Sequence, residues 1–108
     1  MSKLSVENQD EAIRNGALAR IAEVFNRPIN ELTLQSRFGE ELKSSFTSNF
    51  RANEFDKIDQ DIRDVADKRI LKQLGQGLLI ISTVGEYCDH MVRCYASNPV
   101  EVTYLLKL

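Results

Sequence analysis

Apolar residues recur along most of this chain at the three- and four-residue spacing of helices whose one face is buried. Ile13, Ala17, Ile21 and Val24, joined by Leu18 and Phe25, predict a first helix that ends near Asn26, with Pro28 blocking its continuation. The first dozen residues are polar and are expected to fray. Residues 29 to 42 read as an irregular connection with Ile29, Leu32, Leu34 and Phe38 as its anchors to the core and Gly39 at a bend. Residues 43 to 52 are rich in hydroxyls, and a loop and a short helical turn both suit them.

Phe55, Ile58, Ile62 and Val65 define a second helix from about Glu54 to Ala66, with Asp56, Asp59, Asp61 and Asp64 turned away from that stripe. Asn53 suits its N-cap, and Glu54 and Asp56 place negative charge at the positive end of the helix dipole. Ile70, Leu71 and Leu74 support a short helix that Gly75 and Gly77 would end; Leu78 to Ile81 then reads as an apolar connection packed on the bundle. Thr83 followed by Glu86 forms a capping box, opening a helix that buries Val84, Tyr87, Cys88, Met91, Val92 and Tyr95. After Asn98-Pro99 the alternation of Val100, Val102 and Tyr104 suits a strand, but Pro99 and Glu101 make a good helix start, and a short terminal helix is favoured. The expected fold class is all-α: three long helices and one short one with additions at both ends, in which Ile21, Phe25, Phe55, Ile58, Ile62, Val84, Tyr87 and Met91 meet.

A chain of 108 residues accommodates one domain with a modest core, here expected over about 12–96 of 1–108, and its 43% hydrophobic and 28% charged residues are ordinary for a globular protein. The longest apolar run is Leu78 to Ile81, far below the roughly 20 residues of a membrane span. No secretory signal is visible at the start, so a cytoplasmic location is the expectation; a monomer is expected as well. Net charge is −2, but residues 54 to 67 hold six acids against Lys57 and Arg63, a local balance of −4, so the rest of the chain sums to +2. Concentrated acidity of this kind disfavours nucleic acid and suits a basic protein partner meeting Glu54, Asp56, Asp59, Asp61 and Asp64.

Chemistry is sparse. Cys88 and Cys94 are six residues apart in a helix, which turns them about 240° from each other, so two buried reduced thiols are expected rather than a disulfide. His90 and Asp89 lie nearby, yet the spacing matches no zinc template and no nucleophile is tied to His90. The aspartates at 56, 59, 61 and 64 lack the order of a calcium loop, and Gly75 with Gly77 lacks the rest of a phosphate-binding loop. A solvent-facing row of carboxylates gives no reason for proton affinities to diverge, so no catalytic residue, metal site or enzyme activity is expected.

Four stretches, taken in order, resemble the acyl carrier proteins over roughly residues 12 to 96. Ile21-Ala22-Glu23-Val24-Phe25 followed by Ile29-Asn30-Glu31-Leu32-Thr33 is similar to the family's first helix and its Val-x-x-Glu-Ile-Thr turn. Phe38-Gly39-Glu40-Glu41-Leu42 resembles Phe-x-x-Asp-Leu, and Ala52-Asn53-Glu54-Phe55-Asp56-Lys57-Ile58-Asp59 lines up with Ala-Asp-Ser-Leu-Asp-x-Val-Glu. Ser82-Thr83-Val84-Gly85-Glu86-Tyr87 looks like the Thr-Val-x-Asp of the last long helix.

The resemblance implies a carrier of 4′-phosphopantetheine whose acidic second helix docks on basic patches of enzymes of fatty-acid, lipid or polyketide pathways. At the attachment site the sequence departs from the pattern, with Glu54 in the serine position and Asn53 in that of the preceding aspartate. A carboxylate attacking the pyrophosphate of coenzyme A would give a hydrolysable mixed anhydride instead of a durable ester. An insertion of about nine residues, Lys43 to Arg51, precedes this helix. Without that gap Phe46 takes the serine column, leaving Ser44, Ser45 and Ser48 as fallback attachment points. The expectation is a non-catalytic, acyl-carrier-like protein with an atypical or absent prosthetic-group site; the alternative is a non-carrier interaction or regulatory module on the same helices. A small enzyme using Cys88 or His90 is the remote third.

Overall fold

The apolar stripes are satisfied by mutual burial of helices. The computed structural model describes residues 6–40, 42 and 54–108, and among these it holds five α-helices and no strand beyond isolated bridges. They are α1 (Val6–Phe25), α2 (Glu54–Asp64), α3 (Lys68–Gly75), α4 (Val84–Ser97) and α5 (Pro99–Leu106). The principal packing is α1 on α4; α2 lies against both and α5 closes the other side of the same pair. Ile13, Ala17, Ile21 and Phe25 meet Ile58 and Ile62 from α2, Val84, Tyr87 and Met91 from α4, and Val102 and Leu106 from α5, with Phe55 packed on the margin.

Helix α1 already runs at Val6, so the expected fraying of the first dozen residues does not extend to 6–12. Its first half gains a partner surface that the polar pattern did not suggest. Gln9 Nε2 donates to the Tyr95 hydroxyl at 3.4 Å, and Ile13 is fully buried. Tertiary contact of this kind overrides weak local propensity. At its other end Asn26 adopts a left-handed conformation (φ 54°), a common helix stop, and Arg27 N–H returns to the Ala22 carbonyl at 3.0 Å.

The connection after α1 differs from expectation. Leu32 and Phe38 pack against the core, but Ile29 and Leu34 do not anchor: they are 49% and 51% exposed. Ile29 belongs to a short 3₁₀ turn, Ile29–Glu31, that buries nothing. Leu34 is engaged through its backbone instead, because Gly85 N–H donates to its carbonyl at 2.9 Å while Val84 N–H donates to Ser36 at 2.9 Å. The first N–H groups of α4, which lack partners inside the helix, are thus satisfied by the loop. Gly85 permits this approach, since a Cβ there would sit 3.0 Å from the Leu34 oxygen. Leu42, fully buried, is the deeper anchor.

Local caps follow the sequence closely. Thr83 Oγ1 accepts from Glu86 N–H at 3.1 Å, and the Glu86 carboxylate accepts from Thr83 N–H at 3.0 Å, completing the capping box of α4. Asp67 caps α3 by accepting from Ile70 N–H at 2.9 Å. In the connection between α3 and α4, Leu79 and Ile81 pack inward while Leu78 and Ile80 face water, so only half of the expected apolar connection is covered. Thr83→Ala is expected to cost about 1 kcal/mol and to lower the thermal midpoint by several degrees, with Thr83→Ser recovering most of the loss; circular-dichroism melts measure both.

Candidate functional site

The acidic face of α2 is a charged surface whose geometry follows from what holds the helix underneath. Asp56, Asp59 and Asp64 face water, Glu54 is half-buried at the first turn, and Arg63 Nε donates to Asp59 at 3.0 Å across one helical turn. Glu54 and Asp56 stand at the N-terminal end, where negative charge complements the dipole.

Asp61 departs from that row. Expected among the water-facing, partner-contacting acids, it is only 3% exposed. Arg20 of α1 binds it through both oxygens, Nε to Oδ2 at 2.8 Å and Nη2 to Oδ1 at 3.1 Å, and the Tyr87 hydroxyl of α4 donates to Oδ2 at 3.0 Å. A buried carboxylate is tolerated only when paired and hydrogen-bonded in this way. Arg20 is held further toward its charged form by the Asp61 hydrogen bond, while burial first and then Asp61 push the Tyr87 phenol well above its usual range. Spacing alone does not mark this role: Asp61 lies three residues after Ile58 and four before Val65, but Asp59 stands in the mirror position, four after Phe55 and three before Ile62. Nothing local marks Arg20 either, since a single cation next to Ala17 and Ile21 has the pattern of an ordinary margin residue.

The C-terminal end of α2 is tied down by α4 and the residue after it. His90 Nε2 donates to the Ile62 carbonyl at 2.8 Å, and Asn98 Nδ2 donates to the Val65 carbonyl at 2.9 Å. These two side chains satisfy carbonyls that the ending helix leaves open. Because Nε2 carries the proton to Ile62, Nδ1 is left as an acceptor toward the Cys94 thiol at 3.8 Å. Burial lowers the His90 pKa, favouring the neutral ring. Cys88 and Cys94 are both free and buried, and burial raises each thiol to about 11. Thiols held in that state stay protonated near neutrality, the opposite of an activated nucleophile.

Beside the acids lies an apolar groove of about 200 Å³ lined by Phe38, Phe55, Ile58, Asp59, Ile62 and Ile81. Its wall continues into an aromatic cluster in which Phe25 stacks on Phe38 and meets Phe55, both with centroids 5.9 Å apart. Phe38 contacts Tyr87 edge-on at 6.4 Å, linking the groove to the Asp61 network.

Asn53 and the fallback serines Ser44, Ser45 and Ser48 lie outside the described residues. Among the described residues no group of three or more His, Cys, Asp or Glu side chains converges to hold a metal ion, and no helix is long and apolar enough to cross a membrane. No protein-family model matches the chain, and comparison with curated proteins and with solved structures likewise gives no match.

Asp61→Ala is expected to destabilise the fold by about 3 kcal/mol, because Arg20 loses its partner in a partly buried site, whereas Tyr87→Phe costs about 1 kcal/mol. Urea unfolding measures both. The His90 proton has a defined sign: the folded value lies below the unfolded value of about 6.5, so the unfolded chain binds the proton more readily. Stability is therefore full above about pH 6.5 and declines as pH falls below it. His90→Gln, which keeps a donor but cannot titrate, is expected to lessen this decline in urea titrations compared at about pH 7.5 and about pH 5.5.

Proposed function

We propose that the chain is a non-catalytic, acyl-carrier-like docking protein that presents the acidic face of α2 to a basic protein surface, such as that of an acyl-processing enzyme. The observation that carries this reading is a row of exposed carboxylates, Asp56, Asp59 and Asp64 with Glu54 at the helix start, on a helix fixed from below by Arg20, Tyr87, His90 and Asn98. Charges on a fixed helix meet a partner without first being ordered, which favours fast, orientation-specific association. The apolar groove next to Asp59 gives the same surface room for a hydrophobic group, either a partner side chain or the end of an acyl chain.

Whether an arm of 4′-phosphopantetheine completes the site turns on the attachment residue. Glu54 at the start of α2 supplies a carboxylate where the resemblance calls for a hydroxyl, which favours the second reading: a docking or regulatory module on carrier-like helices that never holds a thioester. Co-expression with a phosphopantetheinyl transferase followed by intact-mass and peptide mapping separates the two. A mass gain mapped to Ser44, Ser45 or Ser48 establishes a carrier; no gain under conditions that modify an ordinary carrier leaves docking without the arm.

Docking itself is tested apart from modification. Asp56→Lys with Asp59→Lys is expected to weaken capture by a basic partner about tenfold and to flatten its dependence on salt, with little change in the thermal midpoint, because both positions face water. Capture that is unchanged by the double reversal removes this surface from the function.

A further inference from the structure

A second surface, on the other side of the residue that ends the acidic segment, has the opposite character. Helix α3 contains no acid and exposes Lys68, Arg69 and Lys72, with Leu71 also exposed among them. At its end Gly77 takes a left-handed conformation (φ 74°), and Leu78 N–H returns to the Gln73 carbonyl at 2.9 Å, folding the chain back on the last turn that carries Lys72. Leu78 and Ile80 then stand 76% and 70% exposed.

After α3 the chain turns back on the helix, Leu78 and Leu79 N–H both donating to the Gln73 carbonyl at 2.9 and 3.2 Å, and it is Leu79 and Ile81 that pack on the core. Nothing in the fold requires aliphatic side chains at the two outward positions, where any polar residue would keep the same backbone. Large apolar groups displayed this way mark a contact surface. The acids around this face are already engaged: Asp67 caps α3 by accepting from Ile70 N–H at 2.9 Å, and in the cleft beside Ile80 Asp89 pairs with Arg14 at 2.8 Å while the Glu86 carboxylate accepts from Ser82 and Thr83. Arg93, which shares a shallow cleft with Ile80, adds a further cation.

We propose that the outer face of α3 and the 78–80 turn form a docking surface for an anionic phospholipid bilayer, with Leu71, Leu78 and Ile80 entering the headgroup–acyl boundary and Lys68, Arg69 and Lys72 facing the lipid phosphates. Cations beside protruding aliphatics are the pattern of interfacial binding. Side chains that project from the surface need a matched pocket on a protein partner, whereas a fluid apolar layer receives them without one. A second copy meeting this face symmetrically would set the three cations against themselves, which disfavours self-association here. The surface lies on the membrane and does not span it.

Co-sedimentation of the full chain with vesicles tests this. Binding is expected to vesicles of phosphatidylcholine with about 30% phosphatidylglycerol, at least about tenfold stronger than to phosphatidylcholine alone, and to fall steeply between about 0.1 and about 0.5 M salt. Lys68→Glu with Lys72→Glu, and separately Leu78→Ser with Ile80→Ser, are each expected to reduce it about tenfold or more. Both pairs sit at exposed positions, so circular dichroism should show an unchanged fold; Val100→Ser with Tyr104→Ser on the exposed side of α5 serves as a control that leaves binding intact. Three results would each overturn the proposal: no binding to anionic vesicles, equal binding to neutral ones, or binding indifferent to the Leu78 and Ile80 changes. Concentration-dependent dimerisation, or capture of a polyglutamate peptide, abolished by the same substitutions in the absence of vesicle binding would assign the face to a protein partner instead.

Discussion

The position of α2 depends on one buried carboxylate. Asp61 is removed from water and meets Arg20 from α1 and Tyr87 from α4, so a single side chain fixes its helix against two others at once. Apolar packing alone leaves neighbouring registers close in energy. A desolvated charge with bidentate geometry does not, because any slip strands the carboxylate, the guanidinium or both. Arg20 also reaches Glu23 at 3.2 Å, and Glu23 is joined by Lys107 at 3.1 Å, extending the polar seam from α2 through α1 to the residue that ends α5.

With the helix set in that way, the same segment carries two kinds of acid. Asp61 is spent on architecture, while Asp56, Asp59 and Asp64 remain on the surface. The division follows from what lies opposite each flank of the Phe55–Ile58–Ile62–Val65 stripe: Asp61 meets Arg20 and Tyr87, whereas Asp59, on the other flank, faces water. The local balance of −4 over residues 54 to 67 therefore overstates the acidity available to a partner, and Arg63 at 3.0 Å from Asp59 moderates it again. Acidic α2 and basic α3 are consecutive, separated by the bend at Val65-Ala66-Asp67, so the molecule displays surfaces of opposite sign from adjacent stretches of chain.

Much of the fold was legible in the sequence because its signals were local and mutually consistent. The Thr83–Glu86 box, the stop at Asn26-Pro28, the stripe through Phe55, Ile58 and Ile62, and the helix start at Pro99 each act within a turn or two. What escaped was set at long range. The early start of α1 rests on contacts with residues near 95 and 106–108, and the outward placement of Leu34 is decided by a carbonyl that α4 needs. Among the site residues, the exposure of Asp56, Asp59 and Asp64 followed from periodicity. The interring of Asp61 did not, because it requires knowing that Arg20, 41 residues earlier, arrives opposite it.

Two carbonyls at the end of α2, that of Ile62 and that of Val65 just beyond it, accept from side chains of His90 and Asn98, far downstream in the chain. Beyond its own closing bonds, Val65 N–H to Asp61 and Ala66 N–H to Arg63, the end of α2 is held from α4 and the junction with α5. On a ribosome it emerges well before those residues do, so this closure waits for the rest of the chain. A nascent or truncated chain lacking the last two helices would expose the stripe and the carboxylates together, with neither sorted to its proper side.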